Sequence, residues 1–475
     1  MAENGREIVL DMLLAMEPKT EGRQEYSNKL VKSVLDKFDY LDAKEKAFIK
    51  RLSEGTLERQ LELDYYLNRF SKLPMKKMRP LIRCLLRMSV YQLLYMDAVP
   101  DSAVCNEACK LAAKRGLGNL KGFVNGILRT ITRNKESLPL PDERKEPVKY
   151  LSVRYSMPEW LVELWMEEYG GEITAKLLEG LLKVHPVSLR FVSGMDGEER
   201  EALCRRMEDR GAKLVPAPYL PGFYLLEHGQ GVNGLPGFSE GRFIVQDVSS
   251  ALAVEMAGIR EGDFVVDVCG APGGKSILAG EKTRTGKVLS RDISEEKTAL
   301  IAENVCRMGA GNIEHEVYDA ACRDESLVGK ADVVLLDVPC SGLGVMGKKR
   351  DIKYHVSKEG IEELTALQRR IVDASAAYVR PGGTLLYSTC TIDKEENQAM
   401  VRHIAEDLDF EPVSLEEMLP ERLLSERRRL EEDMERAGKD PAMGLKEKER
   451  RACIQLLPGY MEADGFFLAR FRRKS

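Results

Sequence analysis

The sequence predicts a multidomain protein: an all-helical N-terminal domain and a small α+β subdomain, followed by a doubly wound α/β domain on a largely parallel sheet. Three observations predict it. At 475 residues the chain exceeds what one hydrophobic core usually organises. Between residues 5 and 133 apolar residues recur at intervals of three and four, as in IVLDMLLAM, NKLVKSVL and PLIRCLLRMSVYQLLYM. After residue 260, runs that are apolar on both faces alternate with helical stretches, the pattern of parallel strands covered on two sides.

Taken in order, the helical domain spans residues 1–135, with Gly116, Gly118 and Gly122 breaking its pattern near the end. ESLPLPDERKEPVKY, 136–150, is proline-rich, charged and aperiodic, which reads as a linker. Residues 151–245 give a helix at PEWLVELWMEEYG, a strand at SLRFV, a helix at EEREALCRRMEDRG, and strands in KLVPAP and FYLLEHG. That β-α-β-β order predicts the small α+β subdomain. The third domain, 246–475, offers FVVDVCG, KVLSRDI, IEHEVYDA, ADVVLLDVP and GGTLLYSTC as strands, with SEEKTALIAENVCRMG and EELTALQRRIVDASAAYV as helices between them. CIQLLPG and GFFLARF are expected to add antiparallel edge strands. Residues 411–451, with 12 acids, 10 bases and little apolar content, read as a solvated insertion with a helix at LSERRRLEEDMERAG.

Composition narrows the function. No apolar run approaches membrane-spanning length and MAENGREIVL lacks the form of a signal peptide, so a cytoplasmic protein with no membrane partner is expected. Ten cysteines without a CxxC pair fit reduced thiols, with Cys105 and Cys109 as buried packing at helical spacing. Histidines 185, 228, 315, 355 and 403 lie too far apart to share a ligand set, so no metal is expected. The net charge of −5 is unevenly spread: residues 1–135 carry 25 Lys and Arg against 17 Asp and Glu, leaving the rest acidic. Such asymmetry suits polyanion binding by the first domain, although charge alone favours plain solvated helix surface.

The chemistry concentrates at the carboxyl ends of the third domain's strands, where open parallel sheets bind ligands. The first strand runs into DVCGAPGGKS, 267–276, whose Gly270, Gly273 and Gly274 let backbone approach a ligand while Lys275 opens the next helix. This is neither a phosphate loop nor a dinucleotide fingerprint. Asp292 follows Gly270 by 22 residues, the separation that suits a ribose carboxylate. An N-cap role is its plain alternative, for which Ser294 competes. Asp319 is placed to meet a base amino group, and Asp337 ends the fourth strand. Acids around a glycine turn without a phosphate loop favour a phosphate-free nucleoside, S-adenosylmethionine.

Cys340 in PCSG and Cys390 in STCT share that rim. Each alone could be packing. Together with Asp337 they suggest cytosine carbon 5 methylation. That carbon accepts a methyl only after a thiolate adds to carbon 6 and makes an enamine, with a carboxyl group engaging N3 and the exocyclic amine. One thiol attacks and a second assists release; spacing does not say which is which.

DVCGAPGGK, LLDVPCSGLG, YSTCTIDKEEN and DGFFLARF resemble, in order and spacing, the motifs of the RsmB/Sun group of RNA 5-methylcytosine methyltransferases. VYQLLYMDAVPDSAVCNEACKLAAKRG and FVNGILRTI resemble the NusB-like RNA-binding domain of that group, so the resemblance covers nearly the whole chain. It implies a NusB-like first domain, a Rossmann-like class I methyltransferase domain, and methylation of cytosine 967 of 16S ribosomal RNA; a monomer with no DNA partner is expected. It also implies that Cys269, Gly270, Ala271, Pro272, Gly273, Gly274 and Lys275 hold S-adenosylmethionine. Asp292 would bind its ribose, Asp319 its adenine, and Asp337 would lie near methionine portion and target base. Cys390 of the TC motif is implied as nucleophile and Cys340 of the PC motif as release residue, the reverse of the DNA enzymes' use of the PC cysteine. Two departures stand out. Gly270 replaces the usual alanine, expected to loosen the turn without removing a contact. VMGKKRDIKY lacks the usual proline before DIK, in the loop where RNA contacts by Lys348, Lys349 and Lys353 are implied. A non-catalytic RNA-binding assembly or antitermination factor is disfavoured by the retained Cys340, Cys390 and Asp337, and a transfer RNA substrate by the NusB-like domain.

Overall fold

A computed structural model describes residues 5–17, 27–37, 40–183, 186–228 and 231–475; His185 and parts of the expected helical stretch lie outside the described residues. The chain divides into two units, one formed by residues up to Glu167 together with Lys349–His355, the other by Glu168–Lys348 and Val356–Ser475. Among the described residues no helix is long and apolar enough to cross a membrane.

The first unit is helical. Helices Gly5–Met16, Ala43–Glu58, Gln60–Phe70, Pro80–Tyr95, Asp101–Lys114 and Lys121–Asn134 surround a core that includes Leu10, Ile49, Leu52, Leu67, Leu86, Ala112, Val124 and Leu128. Helix Pro80–Tyr95 sits in the middle, buried on nearly every side. Even its Arg87 is buried, held by Glu17 at 2.7 Å and by Asp64 at 2.7 Å, so the charge enters the core only as a network. A Cβ on Gly55 would lie 2.1 Å from the Tyr91 ring, which is why two helices can touch there. Gly122 does not break the pattern: it lies with Gly126 inside helix Lys121–Asn134, and the interruption is the short 3-10 turn Gly118–Leu120. Helix Pro147–Tyr155 begins inside the stretch read as a linker, with proline at its first position, where no amide hydrogen is missed.

The second unit holds two sheets. In the smaller, β1 (Val187–Phe191), β2 (Lys213–Pro216), β3 (Phe223–His228) and β4 (Phe243–Val245) are antiparallel in the order β2-β3-β1-β4. β4 is a strand that the β-α-β-β reading did not contain; at three residues it shows too little alternation to be seen. Arg190 on β1 reaches Gln246 at 2.6 Å and Glu281 at 2.6 Å, which ties this sheet to helix Gly274–Thr283 of the larger layer.

The larger sheet contains β5 (Phe264–Asp267), β6 (Lys287–Asp292), β7 (Ile313–Val317), β8 (Ala331–Asp337), β9 (Val379–Thr389), β10 (Phe410–Pro412), β11 (Cys453–Leu456) and β12 (Phe466–Arg473). Its order is β10-β12-β9-β8-β5-β6-β7, with β11 also on β12. β5 to β9 are mutually parallel and covered by helices, the Rossmann-like doubly wound arrangement. β12 is antiparallel, yet it is not an edge strand. It lies between β9 and the short β10 and β11, so Phe466 to Ala469 are all buried. An unbroken apolar run belongs in such a two-sided position, and an alternating one would belong at an edge. The charged stretch 411–451 is more than solvated surface. It begins in β10, and its helix Glu421–Arg436 buries Leu423, Leu430 and Met434 along one face.

Candidate active site

The order of strands reverses between β5 and β8, and the polar residues collect beyond the carboxyl ends there. Asp267, Asp292 and Asp337 close β5, β6 and β8; Cys390 directly follows β9; Asp319 lies two residues beyond β7.

On one side of the reversal the turn 267–275 leaves β5 and enters helix Gly274–Thr283. Gly273 has φ of +105°, a conformation that favours glycine, and its N–H donates to Gly270 O at 2.7 Å. Gly270 N–H donates to Arg291 O on β6 at 2.8 Å. A Cβ on Gly270 would lie 2.2 Å from Ser290 Oγ. The expectation that glycine merely loosens this turn is therefore corrected: the volume of a methyl group is taken by the Ser290 hydroxyl. Ser290 and Ser276 are 2.7 Å apart, and Ser276 donates to Asp267 Oδ2 at 2.6 Å. Asp267 is fully buried, and that burial pushes its carboxyl up to about 6. Its Oδ1 has no hydrogen-bond partner among the described residues. Cys269 is half-buried, its thiol raised by desolvation and then by Asp292. Ala271 N–H donates to Asp292 Oδ2 at 3.1 Å, and Pro272 O accepts from Asn304 at 2.9 Å.

Asp292 is buried, and its Oδ1 accepts from Ile293 N–H at 2.8 Å and pairs with Lys297 at 2.9 Å. It does not cap the following helix; Ser294 does, accepting from Lys297 N–H. Asp319 is exposed, its Oδ1 accepting from Ala321 N–H at 2.9 Å within its own turn.

On the other side, Asp337 Oδ2 accepts from Lys275 Nζ at 2.6 Å and Oδ1 from Ser388 Oγ at 2.8 Å. Burial works against the Lys275 charge, but Asp337 beside it, with Asp267 and Cys390 adding to the effect, raises its pKa above the usual value. The Lys275 ammonium lies 5.8 Å from the centre of the Phe466 ring. Cys340 Sγ and Cys390 Sγ are 3.3 Å apart. Hydrogen bonding with Cys390, followed by burial, pushes the Cys340 thiol far up, and either sulfur can donate across the contact.

Behind the thiols is a buried brace. Glu396 accepts from Ser341 N–H at 2.8 Å, from Ser341 Oγ, and from Gln368 Nε2 at 2.9 Å. Ser341 Oγ meets Thr391 Oγ1 at 2.8 Å, and Gly344 N–H donates to Cys390 O at 3.0 Å. The residues following each cysteine are thus bonded to one another. Desolvation raises the Glu396 carboxyl and pushes Asp393 up to about 6.

Residues 255–472 match the model of the family described as 16S rRNA methyltransferase RsmB/F, and residues 3–133 match the NusB family. The probable ribosomal RNA small subunit methyltransferase B of Bacillus subtilis (strain 168) is 35% identical over 473 residues, 99% of this chain and 98% of its own length. The chain belongs to the RsmB/F family. It is an S-adenosylmethionine-dependent RNA methyltransferase with a NusB-like first domain. A Salmonella arizonae relative named ribosomal RNA small subunit methyltransferase B is 31% identical over 434 residues, 91% of each chain. The solved structure of PH0851 has the same fold, with 23% identity and a TM-score of 0.76 over all of both chains.

The donor fits the site of this RsmB/F methyltransferase. The unmet Asp267 Oδ1 and the carboxylates of Asp292 and Asp319 present acceptors, which suit the amino and hydroxyl donors of S-adenosylmethionine. Sequence reasoning missed Asp267, Ser276, Ser290, Ser388 and Glu396. The only signal for them was position: polar residues inside or beside apolar strand runs, and an acid six residues after Cys390. It also misplaced two lysines. Lys353 is buried, its Nζ donating to Glu58 O at 2.7 Å at the end of helix Ala43–Glu58, and desolvation pulls it down to about 7. Lys348 is bonded to Asp247 and Asp464. Neither side chain is free for the phosphates that the resemblance implied; Lys349 is exposed.

Proposed function

We propose that the chain methylates carbon 5 of cytosine 967 of 16S ribosomal RNA through a covalent cysteine adduct, acting as a cytoplasmic monomer. The observation that carries this reading is the 3.3 Å approach of Cys340 and Cys390 beside an Asp337 held from two sides by Lys275 and Ser388. Cys390 is the nucleophile. Its sulfur lies within hydrogen-bond distance of the Cys340 thiol, and the Lys275 charge and a Cys390 thiolate favour one another. Both features favour thiolate on Cys390 and thiol on Cys340.

Cys390 Sγ forms a bond to carbon 6, and the ring's electron pair moves to carbon 5 as an enamine. Asp337 holds the ring in place: its oxygens keep lone pairs beyond those given to Lys275 and Ser388, able to accept from the exocyclic amine. S-adenosylmethionine supplies an electrophilic methyl to carbon 5. Residues Cys269 to Lys275 hold it, with Asp292 at the ribose and Asp319 at the adenine. Asp337 or a water molecule takes the carbon 5 proton, the electron pair of that bond restores the carbon 5–carbon 6 double bond, and the carbon–sulfur bond breaks. Cys340 gives its proton to the departing sulfur, which stops it adding again. An extruded base reaches the strand ends without the rest of the helix following.

The test uses purified protein, tritiated S-adenosylmethionine and unmethylated 16S RNA. Cys390→Ala should transfer nothing, whereas Cys340→Ala should accumulate a protein–RNA adduct on denaturing gels. An active Cys390→Ala, or label in any base position other than cytosine 967, would overturn the assignment.

A further inference from the structure

The loop between helices Gln60–Phe70 and Pro80–Tyr95 reads SKLPMKKMR, with four cations and no acid. Lys72, Lys76, Lys77 and Arg79 are all exposed, and none of them forms an ion pair with any described residue. In helix Glu421–Arg436, by comparison, three of the five arginines are compensated, Arg422 by Glu426, Arg427 by Glu431 and Arg436 by Asp433. Nor is the loop loose. Met75 and Met78 are 2% and 4% exposed and anchor it in the helical core. Met75 N–H donates to Asn68 Oδ1 at 2.9 Å, and the turn Met75–Lys77 closes with Lys77 N–H on Pro74 O at 2.9 Å. The lysines are displayed on a fixed frame, so little order is lost when an anion binds them.

Met75 and Lys76 also line a cavity of about 520 Å³ within the first unit. Leu57, Leu61, Tyr65 and Val153 give it an apolar and aromatic wall. Of its four acids, Glu17 and Asp64 are neutralised by Arg83 and Arg87, Asp351 is buried with His355 Nε2 at 3.6 Å, and Glu159 is exposed. The volume lies in the range of small-ligand pockets, about 300 to 1,000 Å³. A row of unpaired cations beside an apolar, aromatic recess is the combination that takes single-stranded nucleic acid, phosphates on the cations and a base against the ring.

We infer that loop Ser71–Arg79 and the adjoining cavity form a second RNA-binding site, for a single-stranded segment of the substrate away from the target cytosine. The inference rests on the RNA methyltransferase reading and adds where the helical unit grips its substrate.

The test compares the full chain with Lys72→Ser/Lys76→Ser/Lys77→Ser and with Tyr65→Ala, using Tyr65→Phe as the conservative control. Direct binding of labelled unmethylated RNA is read by filter retention without donor, from 50 to 300 mM salt, and methyl transfer is read separately. Each lost phosphate contact should lower the salt slope by about 0.7, so the triple variant should lose about 2 and bind at least about tenfold more weakly. Tyr65→Ala should weaken binding about tenfold with the slope unchanged, and Tyr65→Phe should restore it. Both variants should raise KM for RNA, leaving kcat and donor affinity as in the wild type. Unchanged RNA affinity in the triple variant overturns the site. Unchanged affinity in Tyr65→Ala alone removes the base from the cavity and leaves a plain phosphate contact. A wild type that binds RNA but transfers no methyl counts against the catalytic reading and not against this site.

Discussion

The two halves of the proposed active-site rim, one proposed to hold the donor and one to carry the thiols, are built differently. The donor half is local: the turn 267–275 is held by its own backbone and by the next strand, through Gly270 on Arg291 and Ala271 on Asp292. The thiol half is assembled from residues 50 to 62 positions apart, namely Cys340 with Cys390, Ser341 with Glu396, and Lys275 with Asp337. Sheet register is what brings them together. β8 and β9 are parallel with Asp337 opposite Ser388, so the loops leaving both strands start side by side and carry the cysteines to the same place. A binding turn can thus be a short motif, whereas a two-thiol centre needs the whole sheet. Lys275 belongs to both halves, coming from the donor turn and ending on the thiol-side acid.

That makes Lys275→Met the largest break available. It leaves Asp337 half-buried without its cation, at a cost of about 3 kcal/mol to stability. Methyl transfer should fall about a thousandfold, and donor affinity should fall with it. Single-turnover transfer and calorimetric donor titration check both; intact donor binding in this variant would show that the halves are independent.

Glu396→Ala should separate them. It strips the acceptor from the Ser341 amide, the Ser341 hydroxyl and Gln368, costing about 2 kcal/mol. The cysteine loops then lose their fixed spacing, so kcat should drop about a hundredfold while the donor dissociation constant stays put. An equal loss of donor binding would mean that the brace serves both sides.

Gly270→Ala probes the donor half alone. The added methyl meets Ser290 Oγ at 2.2 Å, and overpacking of this kind costs about 2 kcal/mol. Combining it with Ser290→Ala should recover most of the lost melting temperature, since the obstructing atom is then gone. A single variant as stable as the wild type would show that Ser290 turns aside freely.

The same division explains what could be seen in the sequence. Strands such as ADVVLLD announce a parallel sheet because both faces are apolar, and DVCGAPGGK announces a ligand turn because its glycines are contiguous. Nothing local says that Lys275 ends on Asp337, or that Glu396 bonds the residue after Cys340, since those pairs exist only once β8 lies beside β9. The placement of β12 between β9 and β10 was hidden for the same reason: pairing partners are set by topology and not by period. Lys353 misled in a further way. A lysine in a basic run looks solvated, yet this one caps the carbonyl end of a helix about 295 residues earlier. The Gly270 substitution reads as a mere loosening of the turn because Ser290, which fills the space, sits 20 positions away on another strand.

The most gradual expected effect concerns protons in the donor half. Burial raises the Asp267 carboxyl to about 6, above the roughly 3.9 of an unfolded chain, so the folded state binds that proton more tightly. Its stabilising contribution is complete below about pH 4 and is lost as pH rises through about 6. Thermal unfolding of the donor-free protein should therefore show wild type losing up to about 3 kcal/mol relative to Asp267→Asn across that window, with parallel curves above it. Saturating S-adenosylmethionine should shrink the difference, because a cationic amino group facing the unmet Oδ1 favours the charged carboxylate. A difference that persists unchanged with donor bound would place Asp267 behind the binding surface, as a support for Ser276 and the Gly270 turn and not as a contact.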